Sequence, residues 1–155
     1  MQVLDIPSEF TAALRRHANL YFWDIAEEVG AWNDADRLKV IRLGYPSAFI
    51  TMLSAELKLP RHELSPILNL SSSSIERRVK DGKRLDAVAS ERIDRFLQVA
   101  LLAKEVFEDS QVATKWLITP NHSLGGERPF SLCDTELGAK QVRRVLHAIE
   151  WGNAA

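Results

Sequence analysis

Cysteine is nearly missing from this chain: Cys133 stands alone among 155 residues. One thiol rules out an internal disulfide framework and suits a reducing cytoplasm, which is the expected compartment. Long apolar runs are missing as well, none approaching the roughly 18 residues that a membrane span requires. Asp5 and Glu9 interrupt the opening residues, so no signal peptide is expected there. Neither sign of charge dominates, since 20 Lys and Arg face 21 Asp and Glu for a net of −1. A nucleic-acid interaction would therefore need a local basic patch. No alternating strand pattern and no repeat stand out.

Chemistry-bearing constellations are absent too. His122, Cys133 and His147 have no metal-ligand spacing, and no fourth ligand suggests itself. Four scattered histidines assemble neither a Ser/His/Asp nor a Cys/His arrangement. The glycine pair in "SLGGERP" lacks the lysine and following helix of a phosphate-cradling loop and follows no strand, so a tight turn is the better reading. Neither catalysis nor a metal is expected.

What remains is helix. The 46% apolar content is ample for the core of one domain or two small ones. Phe10, Ala13, Leu14, Ala18 and Tyr21 lie near one helical face with His17 on the same stripe, a histidine read as a half-buried core residue. Asn33 or Asp34 is placed to cap a short helix ending at Gly44 before Pro46. Ser47 can cap the next, whose Phe49, Met52, Leu53 and Leu57 point inward. Ile93, Phe96, Leu97, Ala100 and Leu101 make a third stripe, and Val142, Val145, Leu146 and Ile149 a last one. Asp109 or Ser110, then Asp134 and Thr135, are candidate caps in the second half. An all-α fold is expected.

Between these stripes lies "LNLSSSSIERRVKDGKRL". Four serines suggest a linker, yet a linker needs no Ile75 or Val79. The spacing instead predicts a helix over 61–68, with Leu64 and Leu68 facing the core and Ser65 small enough for a close crossing. Asn69 takes the left-handed turn position that asparagine tolerates best after glycine. Leu70 re-enters the core, and a serine caps a second helix anchored by Ile75 and Val79. This is helix-turn-helix spacing, in which the second helix enters the major groove of DNA. The candidate DNA contacts are Ser71, Ser72, Ser73, Arg77, Arg78 and Lys80, with Lys83 and Arg84 adding charge beside them. From Arg61 to Arg84 six basic residues less three acidic ones leave +3, against −4 for the remainder. So modest a patch predicts dimerisation over two half-sites, with apolar surface on the helix 90–107 serving both core and interface. A solvated basic face on a helical core is the plainer alternative.

The stretch from Gly82 to Gly152 resembles the C-terminal domain of the MbcA/ParS/Xre antitoxin family. The resemblance is carried by Ser90, Arg92 and Arg95, then Ala113, Trp116 and Leu117. It continues through Pro120, Asn121, Leu124, Gly125, Gly126, Pro129, Glu136, Gly138, Val142 and Leu146 to "EWG" at 150–152. The helix-turn-helix ahead of it has the family's order, which extends the likeness back to Gly44. Asn69, where the family commonly has glycine, and Phe130 after Pro129 are departures.

The resemblance implies an N-terminal Xre/Cro-like helix-turn-helix followed by a small helical toxin-binding domain. The expected division is a helical extension over 1–33, DNA binding over 34–84 and toxin binding over 85–155. It implies an antitoxin of a type II toxin–antitoxin operon that binds its own operator. The implied partner is a toxin with a RES domain, which depletes NAD, so the NAD chemistry would belong to that partner and this chain is expected to bind no cofactor. Leu124, Gly125, Gly126, Trp151, Gly152 and Asn153 are the expected toxin-binding residues, acting by occlusion of the toxin's cleft. Trp151 has a second reading, packing back on Trp116. A helix-turn-helix regulator whose C-terminal domain senses a ligand is the alternative function, and an enzyme the remote one.

Overall fold

The computed structural model describes residues 21–152, and among these the chain is helical without a β-strand. Helix α1 spans Phe22–Gly30, α2 Asp34–Leu43 and α3 Ala48–Leu57. A 3-10 turn over Arg61–Leu64 runs into the short α4, Ser65–Leu68, and α5 follows at Ser72–Asp81. Helix α6 is the longest, Ala87–Phe107; α7 spans Ser110–Ile118, and a second 3-10 turn covers His122–Leu124. The short α8 at Pro129–Leu132 and then α9 at Glu136–Glu150 complete the order.

Side-chain caps set most of the starts. Asn33 accepts from the Asp36 N–H, Asp86 from Ala89, Asp109 from Gln111 and Val112, and Thr135 from Gly138. Each satisfies backbone donors that a helix leaves unpaired at its first turn. Ser47 departs from expectation: it precedes α3 in α-helical backbone, is buried and makes no capping bond.

Helix α6 is the shared beam. It packs against α1, α2, α4, α7 and α9, and its Ala89, Ile93, Phe96, Leu97, Val99, Ala100 and Ala103 are all buried. The buried apolar residues of every other helix join one cluster with them. Rings interlock at its centre: Phe96 meets Phe130 edge-on at 5.2 Å and Phe22 at 6.0 Å, and Phe22 meets Phe49 at 6.3 Å. Buried edge-to-face rings add directional attraction to the area they remove from water.

The reading of the N-terminal segment is corrected in part. Phe10, Ala13, Leu14, His17 and Ala18 lie outside the described residues, and Tyr21, assigned to their apolar face, caps α1 with 69% of its surface exposed. Helix α1 itself supplies Phe22, Trp23, Ile25, Ala26 and Val29 to the core. The expected continuous helix over 61–68 is also broken into a 3-10 turn and one α-turn. Pro66 explains it, because a proline has no N–H to give the carbonyl four residues back.

Candidate functional site

The turn between α4 and α5 is closed by short-range bonds. Asn69 sits in left-handed backbone at φ 54°, the Leu70 N–H reaches the Ser65 carbonyl at 3.3 Å, and the Ser65 hydroxyl bonds back to the Leu70 carbonyl. Ser65 is thus spent on the turn rather than on a close helix crossing. Ser71 then caps α5, its Oγ accepting from the Ser74 N–H at 3.2 Å. Ile75 is buried and Val79 half-buried, so α5 is seated along one narrow stripe. Ser74 and Arg78 are half-buried beside it, and the remaining residues from Ser72 to Lys80 face solvent.

The six expected DNA contacts sort into different situations. Ser72 and Ser73 are exposed at the start of α5, and Arg77 and Lys80 project from its open face without an ion pair among the described residues. Ser71 is exposed, though its hydroxyl serves the cap. Arg78 turns inward: its Nη1 donates to the Arg84 carbonyl at 3.1 Å and its Nη2 stands 3.7 Å from Asp86. Arg84 in turn donates to the Gly44 carbonyl at 2.9 Å. These two arginines tie the end of α5 to the loops around it. Sequence periodicity could not show this, since the partners come from the loop that follows Gly82.

In the second half of the chain, Asn121 to Gly126 form a closed turn. The Asn121 carbonyl accepts from Leu124 and Gly126 N–H groups at 3.0 and 2.9 Å, and its N–H donates to the Glu127 carbonyl at 3.0 Å. Gly125 and Gly126 both have positive φ, 69° and 83°, which is why a glycine pair stands there. Leu124 is nearly buried beneath them. An open groove of about 430 Å³ separates this turn from α9, lined by Ser123, Leu124, Gly125, Gln141, Arg144 and Val145. The three residues of α9 were not among the expected contacts; their spacing of three and four beside Trp151 was the available signal.

Trp151 does not pack on Trp116, which lies instead 5.7 Å from the Phe107 ring. It caps α9 with 79% of its surface exposed. Gly152 follows at φ 72°, and Asn153 lies outside the described residues. The core-packing reading of Trp151 is overturned; the indole faces outward.

Polar bonds tie the segment ahead of the helix-turn-helix to α6. Asp94, 4% exposed, receives Arg37 Nη2 at 2.5 Å and Nε at 3.2 Å. The Tyr45 hydroxyl donates to the same carboxylate at 3.2 Å, and the Tyr45 N–H donates to Ser90 Oγ at 2.8 Å. Burial, reinforced by the Asp94 charge, pushes the Tyr45 phenol far above its ordinary pKa, so it stays a donor. The hydrogen bond to Asp94 likewise raises Arg37 and keeps it charged. Further along, Arg128 pairs with Glu63 at 3.1 Å, linking the loop after the glycine pair to the helix-turn-helix.

No group of His, Cys, Asp and Glu among the described residues is placed to hold a metal. Burial lifts the Cys133 thiol to about 12, and it donates to the Pro129 carbonyl. No helix of the described residues is long and apolar enough to cross a membrane.

Comparison with known proteins matches this layout. Residues 36–98 match the antitoxin Xre-like helix-turn-helix domain, and 102–152 the antitoxin Xre/MbcA/ParS C-terminal toxin-binding domain. Antitoxin Xre of Yersinia enterocolitica is 32% identical over 72% of this chain and 76% of its own. The chain belongs to the MbcA/ParS/Xre antitoxin family. Antitoxin Xre of Photorhabdus laumondii is 28% identical over 73% of the chain and 77% of its own length. A protein of Sphingobium sp. named Prs ADP-ribosylating antitoxin is 25% identical over 76% and 79%. The antitoxin thus carries a helix-turn-helix on α4–α5, and its family's toxin-binding domain spans the glycine turn, its groove and α9.

Proposed function

We propose that this antitoxin neutralises a RES-domain, NAD-depleting toxin by occluding its active site, and binds operator DNA to repress its own operon. Residues 34–84 would serve the operator and 85–155 the toxin. The observation that carries the toxin reading is Trp151, a large apolar side chain held in solvent at the end of α9. Tryptophan in such a position often dominates an interface. The groove beside Leu124, Gly125 and Gly126 widens the same surface. The name of the Sphingobium relative supports the NAD link, since ADP-ribosylation consumes NAD. Binding alone suffices for such a role, without catalysis by the antitoxin.

The operator reading rests on Ser72, Ser73, Arg77 and Lys80, exposed on one helix beside its capped N-terminus, where phosphates are well received. One such helix offers few phosphate contacts, so we propose a dimer on two half-sites.

The test is a chain ended after Ile149. It is expected to keep its helical spectrum and its operator affinity, yet fail to protect cells expressing the toxin and fail to restore their NAD. Full protection by a folded truncation would assign inhibition to the body of the domain.

A further inference from the structure

The outer face of α9 offers more than its terminal tryptophan. Leu137, Gln141, Arg144, Ala148 and Trp151 follow at spacings of four and three residues, which stacks them along one line of the helix. Both ends of the line are apolar and open, Leu137 at 68% exposure and Trp151 at 79%, about 21 Å apart along the axis. The opposite face is already committed, with Gly138, Ala139, Val142 and Leu146 buried.

The charges on this face are equally telling. Arg143 pairs with Glu136, and His147 lies 3.3 Å from Glu150. Lys140 and Arg144 are exposed, one turn apart, with no acidic partner among the described residues. Like charges at that spacing oppose the helix slightly. The free chain gains nothing from the pair, and Arg144 also lines the groove opposite Ser123 and Gly125.

We infer that the face from Leu137 to Trp151 docks the toxin, and that the toxin surface it fits is acidic, with carboxylates set against Arg144 and Lys140 between apolar pockets for Leu137 and Trp151. The inference rests on the proposed role of Trp151 and extends it. One anchor leaves a helix free to pivot; a second anchor fixes its direction, and unpaired cations steer the encounter. DNA is the other polyanion such cations suit. Phosphate contacts call for cations and hydroxyls, however, and an exposed apolar residue at each end of the line has no use there.

The experiment titrates purified antitoxin against its cognate toxin by calorimetry at two salt concentrations, and against operator DNA in parallel. The variants are Arg144→Glu, Lys140→Glu, Leu137→Ser and Trp151→Ala, each checked for fold by circular dichroism and melting. Charge reversal at Arg144 is expected to weaken toxin binding about tenfold and flatten its salt dependence, with Leu137→Ser costing a similar factor and operator affinity unchanged. Should Arg144→Glu melt early, Lys140→Glu carries the same test on the same face. Toxin affinity unaltered in both reversals and in Leu137→Ser overturns the inference. If Trp151→Ala still weakens toxin binding in that case, the proposed tail contact stands without it; if not, both fall. Loss of operator affinity with toxin affinity intact in Arg144→Glu and Lys140→Glu would overturn it in favour of a nucleic-acid surface.

Discussion

Helices α5 and α9 both hold cations out to solvent, but the residues between those cations differ. On α5, Arg77 and Lys80 stand among exposed serines, and a single fully buried side chain, Ile75, seats the helix. On α9, Lys140 and Arg144 stand between an exposed leucine and an exposed tryptophan, and four buried residues seat it. Hydroxyls beside cations suit a phosphate backbone, which rewards charge and close approach. Apolar residues beside cations suit a protein surface, where burial supplies affinity and charge supplies orientation. On the functions proposed above, similar charge would serve two kinds of partner, with the neighbours deciding which.

The comparison breaks most completely where both faces depend on one group. Asp94→Ala leaves the Arg37 guanidinium and the Tyr45 hydroxyl without their shared acceptor, and is expected to cost about 3 kcal/mol. Urea unfolding should show that loss, with operator and toxin binding both falling at physiological temperature. Unchanged stability would mean that the pair is dispensable to the core.

A smaller effect separates the faces. Ile75→Ala is expected to cost about 2 kcal/mol by the cavity it leaves under α5. Its damage should be local: operator binding lost in a gel-shift titration, toxin binding kept. Leu146→Ala, beneath α9, should reverse that pattern. Equal loss of both activities in either variant would show that the two faces unfold together.

The smallest effect distinguishes two adjacent arginines. Arg77→Ala should weaken operator binding with a shallower salt dependence and no change in melting temperature, because the side chain has no ion pair among the described residues. Arg78→Ala should instead lower the melting temperature by releasing the Arg84 and Asp86 contacts. Identical behaviour of the two would reject the distinction drawn from their orientation.

Much of this was legible in the residues because it is local. Asn69 in left-handed backbone, a serine as the cap of α5 and Gly125–Gly126 in a tight turn follow from what those side chains permit within a few residues. The buried stripes of α6 and α9 followed from helical period. What escaped depended on distant partners. Arg78 is among the expected DNA contacts, and its bonds to Arg84 and Asp86 come from a loop that helical spacing does not place. Trp151 had two readings because its fate depends on where α9 ends relative to Trp116, which no spacing encodes. Phe22, Ile25, Ala26 and Val29 of α1 carry the helical period over only nine residues, too short a run to stand out beside the stripe before it. The role of Gly138 likewise rests on packing. A Cβ there would stand 1.9 Å from the Leu132 carbonyl oxygen, so the glycine is what lets α9 sit down.

Helix α6 also bears on how such proteins are recombined. Swapping operator specificity for toxin specificity invites a crossover near Leu85, between recognition helix and toxin-binding half. That cut would pass on Asp94 from one parent and Arg37 with Tyr45 from the other. It would divide two further sets of contacts: Trp23, bonded to Glu56 at 2.8 Å and Thr114 at 3.3 Å, and Arg128 with Glu63. A chimera made there inherits mismatched halves of one polar lattice, and specificity is better exchanged by grafting side chains on the outer faces of α5 and α9.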